Sequence, residues 1–197
     1  MIGLVIPITV TSKKSLPLVE AMTNARQIGL ALDAFEQDFG KTPDWNTIAV
    51  VKKETRSTLP LGTKTSNDYF RQLVAAGLYD GEKLFFANIK GVRKTDYRAG
   101  DTHLLEKGEC GFTYILGGSF KNVPPRPLLV TPMIPGTDRF DPKPFKGKAV
   151  ILWTDFRAER IPIDEHGHVT DSAGRNLFDP ANPVWGGASP MIAWPDL

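Results

Sequence analysis

The sequence predicts an α+β fold: a long N-terminal helix packed on a C-terminal antiparallel β-sheet, with a short second helix between them. Three observations carry that prediction. Leu18, Ala21, Ala25, Ile28, Leu32, Phe35 and Phe39 recur at three- and four-residue steps, the period of an apolar helix stripe. After Cys110 the pattern changes to short runs of β-branched and aromatic residues separated by Gly, Pro and Asp. The chain also carries 18 Gly and 16 Pro, a supply of turns and edges that argues against a helical bundle. A length of 197 residues with 41% hydrophobic and 23% charged residues suits one core and one domain spanning residues 1–197.

Charge and cysteine usage exclude several classes. Twenty-four Lys and Arg against 22 Asp and Glu leave +2, too little for an overall field that holds nucleic acid or anionic membrane. A single cysteine excludes an intrachain disulfide framework and any zinc site built from several thiolates.

Residues 1–14 open with an apolar run, 1–10, about half the roughly 20 residues that a membrane-spanning helix needs, and Pro7 interrupts it. No basic segment precedes the run and no small-residue cleavage site follows, so it is not a complete signal peptide. It reads either as a strand or arm of a soluble domain, or as the last part of a longer apolar helix; Lys13 and Lys14 mark a return to water. The long helix occupies 15–40, with Ser15 as cap, Pro17 in the first turn, and Gly40 and Pro43 as stop signals. Arg26, Asp33, Glu36 and Gln37 lie off its apolar stripe. A helix of about 23 residues is roughly 35 Å long and needs a sheet or other helices to lie on.

Residues 41–109 hold helix and loops. Pro43, Pro60 and Gly62 surround a short apolar run at 48–51. A second helix starts at Ser66, where Ser66, Asn67 and Asp68 offer caps and Tyr69, Phe70, Leu73, Val74 and Leu78 supply a buried face ending near Gly77. Leu84, Phe85 and Phe86 read as a buried strand or the start of the next core segment, and 90–108 as a surface loop. In 110–197, strands are expected over 111–116, 126–131, 148–154 and 158–163. The last two are separated by Asp155, Phe156 and Arg157, with Pro162 marking an edge or an end. The Pro- and Gly-rich tail is expected to be loop, held by Trp185 and Trp194.

Candidate chemistry is sparse. Asp164, Glu165, His166, Gly167 and His168 form the one cluster of potential metal ligands; histidines two apart point the same way on a strand, but Gly167 before Val169 favours a tight turn. Asp164, Asp171, Asn176 and Asp179 are oxygen donors whose spacing is not that of an EF-hand, which favours solvated loop acids over calcium ligands. Cys110, with His103 nearby in sequence, reads as a buried structural thiol. Gly117, Gly118 and Ser119 lack the pattern of a phosphate loop, and Lys52, Lys53 and Arg56 form a mild basic patch without interleaved aromatics. No acid, base and nucleophile can be assembled from spacing. The reading is therefore a non-enzyme, with no catalytic, cofactor-binding or metal residues and no cofactor.

The segment Asn24-Ala-Arg-Gln-Ile-Gly-Leu-Ala-Leu-Asp-Ala-Phe-Glu-Gln-Asp-Phe-Gly-Lys-Thr-Pro43 resembles the helix exit of bacterial type II secretion pseudopilins and type IV pilin-like proteins, with Thr42 where an aromatic is usual. Asn67-Asp-Tyr-Phe-Arg-Gln-Leu-Val-Ala-Ala-Gly-Leu-Tyr79 through Lys83-Leu-Phe85 is similar to a segment of pilin-like proteins with expanded sheets. Ala149-Val-Ile-Leu-Trp-Thr-Asp155 looks like their late strand, although Phe156 and Arg157 depart from its usual Asp-Gly-His ending. By contrast, Gly111-Phe-Thr-Tyr-Ile115 mimics the prepilin processing site by coincidence, because Gly117, Gly118 and Lys121 follow where a long apolar helix is required.

The resemblance implies a long helix, apolar at its start, with a β-rich head on its second half. Residues 1–10 would then be the end of an apolar helix whose leader, processing site and acidic fifth residue are absent here. It implies a subunit of an envelope filament or type II secretion system, anchored in the inner membrane with a periplasmic or extracellular head. Its partners would be other pilin-like subunits or secretion-system proteins, with no nucleic acid, and the membrane met only through an upstream helix. Ile28, Leu32, Phe35 and Phe39 are expected to pack helix on head, with Trp153 facing them or its neighbours. The alternative is a soluble envelope module that binds a glycan or protein through Trp185, Trp194 and the tail.

Overall fold

The computed structural model describes residues 16–94 and 103–197. The apolar run at 1–10, Lys13, Lys14, the Ser15 cap and part of the 90–108 loop lie outside the described residues. Helix α1 (Leu16–Phe39) has 24 residues, and its buried side is the stripe expected from the sequence: Ala21, Ala25, Ile28, Leu32 and Phe35. Gly29 extends that side, because a Cβ there would come 2.7 Å from Leu152 Cδ2; the helix backbone approaches the sheet closely where it carries no side chain. Gly40, at φ +80°, ends the helix in the left-handed conformation that glycine adopts without strain.

Five strands follow: β1 (Thr113–Leu116), β2 (Pro127–Thr131), β3 (Lys148–Trp153), β4 (Ala158–Pro162) and β5 (Met191–Ala193). They form one antiparallel sheet in the order β4-β3-β2-β1-β5. Along β3 the side chains alternate as the pleat requires: Val150 and Leu152 face α1, whereas Ala149, Ile151 and Trp153 face the other way. The same alternation puts Tyr114 and Ala193 under the helices and Ile115 and Ile192 on the far face. In β2 the register shifts between Pro127 and Leu129, so Leu128 and Leu129 both join the helix-side core before Val130 turns away.

Several sequence expectations are corrected. The 48–51 run belongs to a further helix, α2 (Thr47–Thr55), started by Asp44, whose carboxylate accepts from the backbone N–H of Asn46 (2.7 Å) and Thr47 (2.9 Å). It buries only Thr47 and Val51, too few apolar positions for a period to stand out. The expected second helix, α3 (Ser66–Ala75), is capped by Thr65 rather than Ser66, through a capping box with Asp68. Lys83–Phe85 is one turn of 3₁₀ helix rather than a strand. The tail is not all loop, because Met191–Ala193 adds to the open edge of β1 as β5.

Two further side chains are reassigned. Trp153 lies on the face of β3 opposite α1, with the Arg157 guanidinium 5.1 Å above its ring. Glu36, read as off the buried stripe, is only 5% exposed. Phe35 and Phe39 stack at 4.4 Å, and Phe39 is half-buried against the core, as expected.

Candidate functional site

The head meets the exit of α1 through a set of buried polar contacts. Glu36, one position past Phe35, accepts hydrogen bonds from Ser119 Oγ and, at 2.9 Å, from the Phe120 N–H. Thr42 Oγ1 donates to the Gly118 carbonyl at 2.7 Å, and Tyr114 donates its hydroxyl to the Pro43 carbonyl at 3.1 Å. Burial pushes the Tyr114 phenol well above the usual tyrosine range. The 117–126 connection is thereby tied to the helix exit. Phe120 stacks at 4.6 Å on Phe156 of the β3–β4 turn, and Val123 stands 94% exposed at the loop tip. Of the glycines read against a phosphate loop, Gly118 serves packing, since a Cβ there would come 2.6 Å from Leu128 Cδ1, and Gly117 takes the turn at φ +75°.

A second polar hub joins α3 to the end of the chain. Asn67 Nδ2 donates to the carbonyls of Leu105 (3.1 Å) and Glu106 (2.9 Å), while its Oδ1 accepts from the Asp196 N–H at 3.0 Å. Arg71 pairs with Asp68 at 2.6 Å and donates to the Leu104 and Leu105 carbonyls. Cys110 lies beside this hub, fully buried, with Ser66 Oγ 3.6 Å from its sulfur. Burial pushes its thiol up to about 11, away from the thiolate a nucleophile needs. His103 is exposed and turned to Glu106 at 2.8 Å.

The far face of the sheet carries the acidic loops. Asp164 Oδ1 accepts from the N–H groups of His166 (2.9 Å) and His168 (2.7 Å), so the Asp-Glu-His-Gly-His segment closes a tight turn with Gly167 at φ +85°. The bond from the His168 N–H, followed by that from His166, holds the Asp164 carboxyl below the ordinary value. Asp171 repeats the device on Ala173 and Arg175. The Arg175 backbone N–H and guanidinium bring Asp171 down to about 2. Asn176 donates to Asp138 at 2.8 Å, and the exposed Asp179 accepts from the Ala181 N–H at 2.8 Å. The four oxygen donors thus serve separate turns. Among the described residues no three His, Cys, Asp or Glu side chains gather closely enough to hold a metal ion.

The tryptophans of the tail are structural. Trp185 is buried against Phe178, its ring centroid 5.8 Å away, and donates Nε1–H to the Leu177 carbonyl at 2.9 Å. Trp194 donates to the Thr137 carbonyl at 3.2 Å. Lys52, Lys53 and Arg56 lie exposed at the end of α2. Among the described residues, two clefts are of similar size. One, of about 290 Å³, is apolar and bounded by Ile89, Pro132, Met133, Ile134, Pro135 and Leu197. The other, of about 280 Å³, lies between α1 and the 83–94 segment and is bounded by Glu20, Asn24, Lys83, Phe86 and Lys94. Among the described residues that bound them, neither brings together an acid, a base and a nucleophile. Comparison with family models, curated proteins and solved structures finds no match to the chain.

Proposed function

We propose that this chain is a non-enzymatic pilin-like or pseudopilin subunit of a bacterial envelope filament or type II secretion system. Its partners are other pilin-like subunits or secretion-system proteins, and it is anchored in the inner membrane through a helix upstream of α1, with a periplasmic or extracellular head. One observation carries the reading. The 24-residue α1 buries one side on an antiparallel sheet while its outward side leaves Leu16, Val19 and Leu30 58%, 52% and 61% exposed. Apolar side chains on the outer face of a long helix suit packing against the same helix of neighbouring copies, at about 25 cal/mol per Å² of apolar surface removed from water. The 117–126 loop, fixed to the helix exit by Glu36 and Thr42, supports the second half of the mechanism: a rigidly held surface presented outward.

The test is cross-linking in the envelope of the native host. Single cysteines at Val19 or Leu30, in a Cys110→Ser background, are expected to give disulfide-linked multimers of the membrane fraction. A cysteine at the exposed Lys143 is expected to give none. Recovery of the chain as a monomer in the soluble fraction, with no helix-specific linkage, would sink the proposal. The alternative of a soluble envelope module binding a glycan or protein loses Trp185, which is buried, and keeps Trp194, which is half-buried with its Nε1–H given to the Thr137 carbonyl.

A further inference from the structure

We propose that the cleft between the start of β2 and the 185–191 segment binds a monocarboxylate carried on a short apolar chain. The cleft, of about 130 Å³, lies where Leu116 of β1 pairs with Met191 of β5 and β2 begins at Pro127. Its walls are apolar: Ile115 and Trp185 are buried, and Pro127 and Met191 complete them. Trp185 gives its Nε1–H to the Leu177 carbonyl, so it offers the cleft only its ring. Arg126 and Ser189 supply the polar side chains, and no acidic side chain of the described residues lines the cleft.

The backbone of Arg126 is fixed at both ends: its N–H donates to Thr154 Oγ1 at 3.0 Å, and its carbonyl accepts from the Thr154 N–H at 2.9 Å. Its guanidinium lies close against Gly186, where a Cβ would come 3.0 Å from Nη2. Gly186 is at φ +63°, so glycine provides both the turn and the room. The Arg126 side chain is half-buried, yet among the described residues its guanidinium forms no hydrogen bond or ion pair. Ser189 likewise forms no hydrogen bond within the described residues. Asp155, which follows Thr154, is engaged by Arg157 at 3.4 Å.

A fixed guanidinium without a partner, a free hydroxyl and apolar walls specify an anion with an apolar body. The planar fork of a guanidinium matches the two oxygens of a carboxylate, and one cation balances one negative charge. At about 30 Å³ for each water-sized group, the cleft has room for about four such groups, a carboxylate and a few carbons. A free short-chain acid and the C-terminal residue of a polypeptide both offer that chemistry. This inference does not draw on the pilin-like reading, and its failure leaves that reading untouched.

The test is an NMR titration of the full chain with butyrate, butanol and inorganic phosphate. Butyrate is expected to shift the Ser189 N–H and the Arg126 Nε–H and to saturate. Butanol, which lacks the charge, and phosphate, which lacks the apolar part, are expected to bind at least about tenfold more weakly. Arg126→Gln is expected to lose about tenfold or more in butyrate affinity. Ser189→Glu, on an exposed side chain, sets a carboxylate of the chain's own beside the guanidinium; it is expected to keep its melting temperature and lose as much. Butyrate and a tripeptide ending in valine with a free carboxylate, run beside its amide, distinguish the two sources. Tighter binding of the peptide acid than of butyrate, with none by the amide, upholds the site for a polypeptide end; binding of butyrate at least as tight upholds it for a free acid. Absence of a shift at Ser189 and Arg126, binding of butanol or phosphate equal to that of butyrate, or wild-type affinity in Ser189→Glu overturns the proposal.

Discussion

The two faces of the sheet are covered in different ways. On one face regular helices supply the cover: α1 brings Ile28, Leu32 and Phe35 onto Val150 and Leu152, and α3 adds Phe70 and Leu73. On the other, Val169, Leu177, Phe178 and Trp185 come from irregular chain between β4 and β5. A helix satisfies its own backbone, so its cover needs only a stripe of apolar side chains. Irregular cover must satisfy its N–H and C=O groups some other way. Here Asp and Asn side chains do so in succession, with Asp164, Asp171, Asn176, Asp179 and Asn182 each accepting from a backbone N–H two residues on. The residues that looked like metal ligands are what hold the loops over the second core.

That contrast can be broken most sharply with one leucine from each side. Leu32→Ala and Leu177→Ala both remove a buried side chain, and each is expected to cost about 2–5 kcal/mol. Leu32 should fall in the upper part of that range, because a rigid helix and sheet cannot close the gap. Leu177 should fall lower, because its loop can settle into the space. Urea denaturation of the two variants measures both, and an equal or reversed order would remove the distinction between the faces.

Asn182→Ala sharpens the loop side. Its Nδ2 donates to the Asn176 carbonyl (3.0 Å) and Asp171 (3.1 Å), while its Oδ1 accepts from Val184 N–H at 3.1 Å. Leaving these buried groups unpaired should cost about 1–3 kcal/mol, read as a lowered unfolding midpoint. On the helix side the matching polar change is Glu36→Gln. It offers an amide N–H₂ where the carboxylate accepted from both Ser119 and Phe120, and about 1–3 kcal/mol is again expected, at the low end because one acceptor oxygen remains.

The smallest effect concerns acid. Asp171 sits at about 2 in the folded chain against an ordinary 3.8. Its folded value is depressed, so its contribution is fully present above about 4 and is lost as pH falls through about 2. Melting temperatures between those limits should fall more steeply for the wild type than for Asp171→Asn. Parallel curves would mean that Asp171 does not feel its neighbours as the geometry indicates.

Legibility in the sequence followed the same division. The α1 stripe was readable because its buried side recurs over about four turns, and Gly40 closes the helix. Strands β1 to β4 were readable to within two residues, because apolar runs end at Gly, Pro or Asp. Helix α2 was hidden by its length of nine residues and its two buried positions. Strand β5 was hidden because Met191–Ala193 is short, lies among prolines and glycines, and is a strand only because β1 offers it an edge. Glu36 was placed outside the core because a carboxylate reads as solvated until the loop that supplies its donors is known to lie over it. Trp153 was assigned to the wrong face because strand period alone gives alternation without saying which set meets the helix.

By itself, the sequence determined that a long amphipathic helix precedes a set of short strands, since periodicity and turn residues act over neighbouring positions. Tertiary structure alone decided which face of the sheet the helix covers, that the tail returns as an edge strand, and that the acidic residues serve turns. Those outcomes depend on backbone groups distant in sequence finding partners, and a one-dimensional pattern does not encode which distant partner satisfies a given N–H or carbonyl.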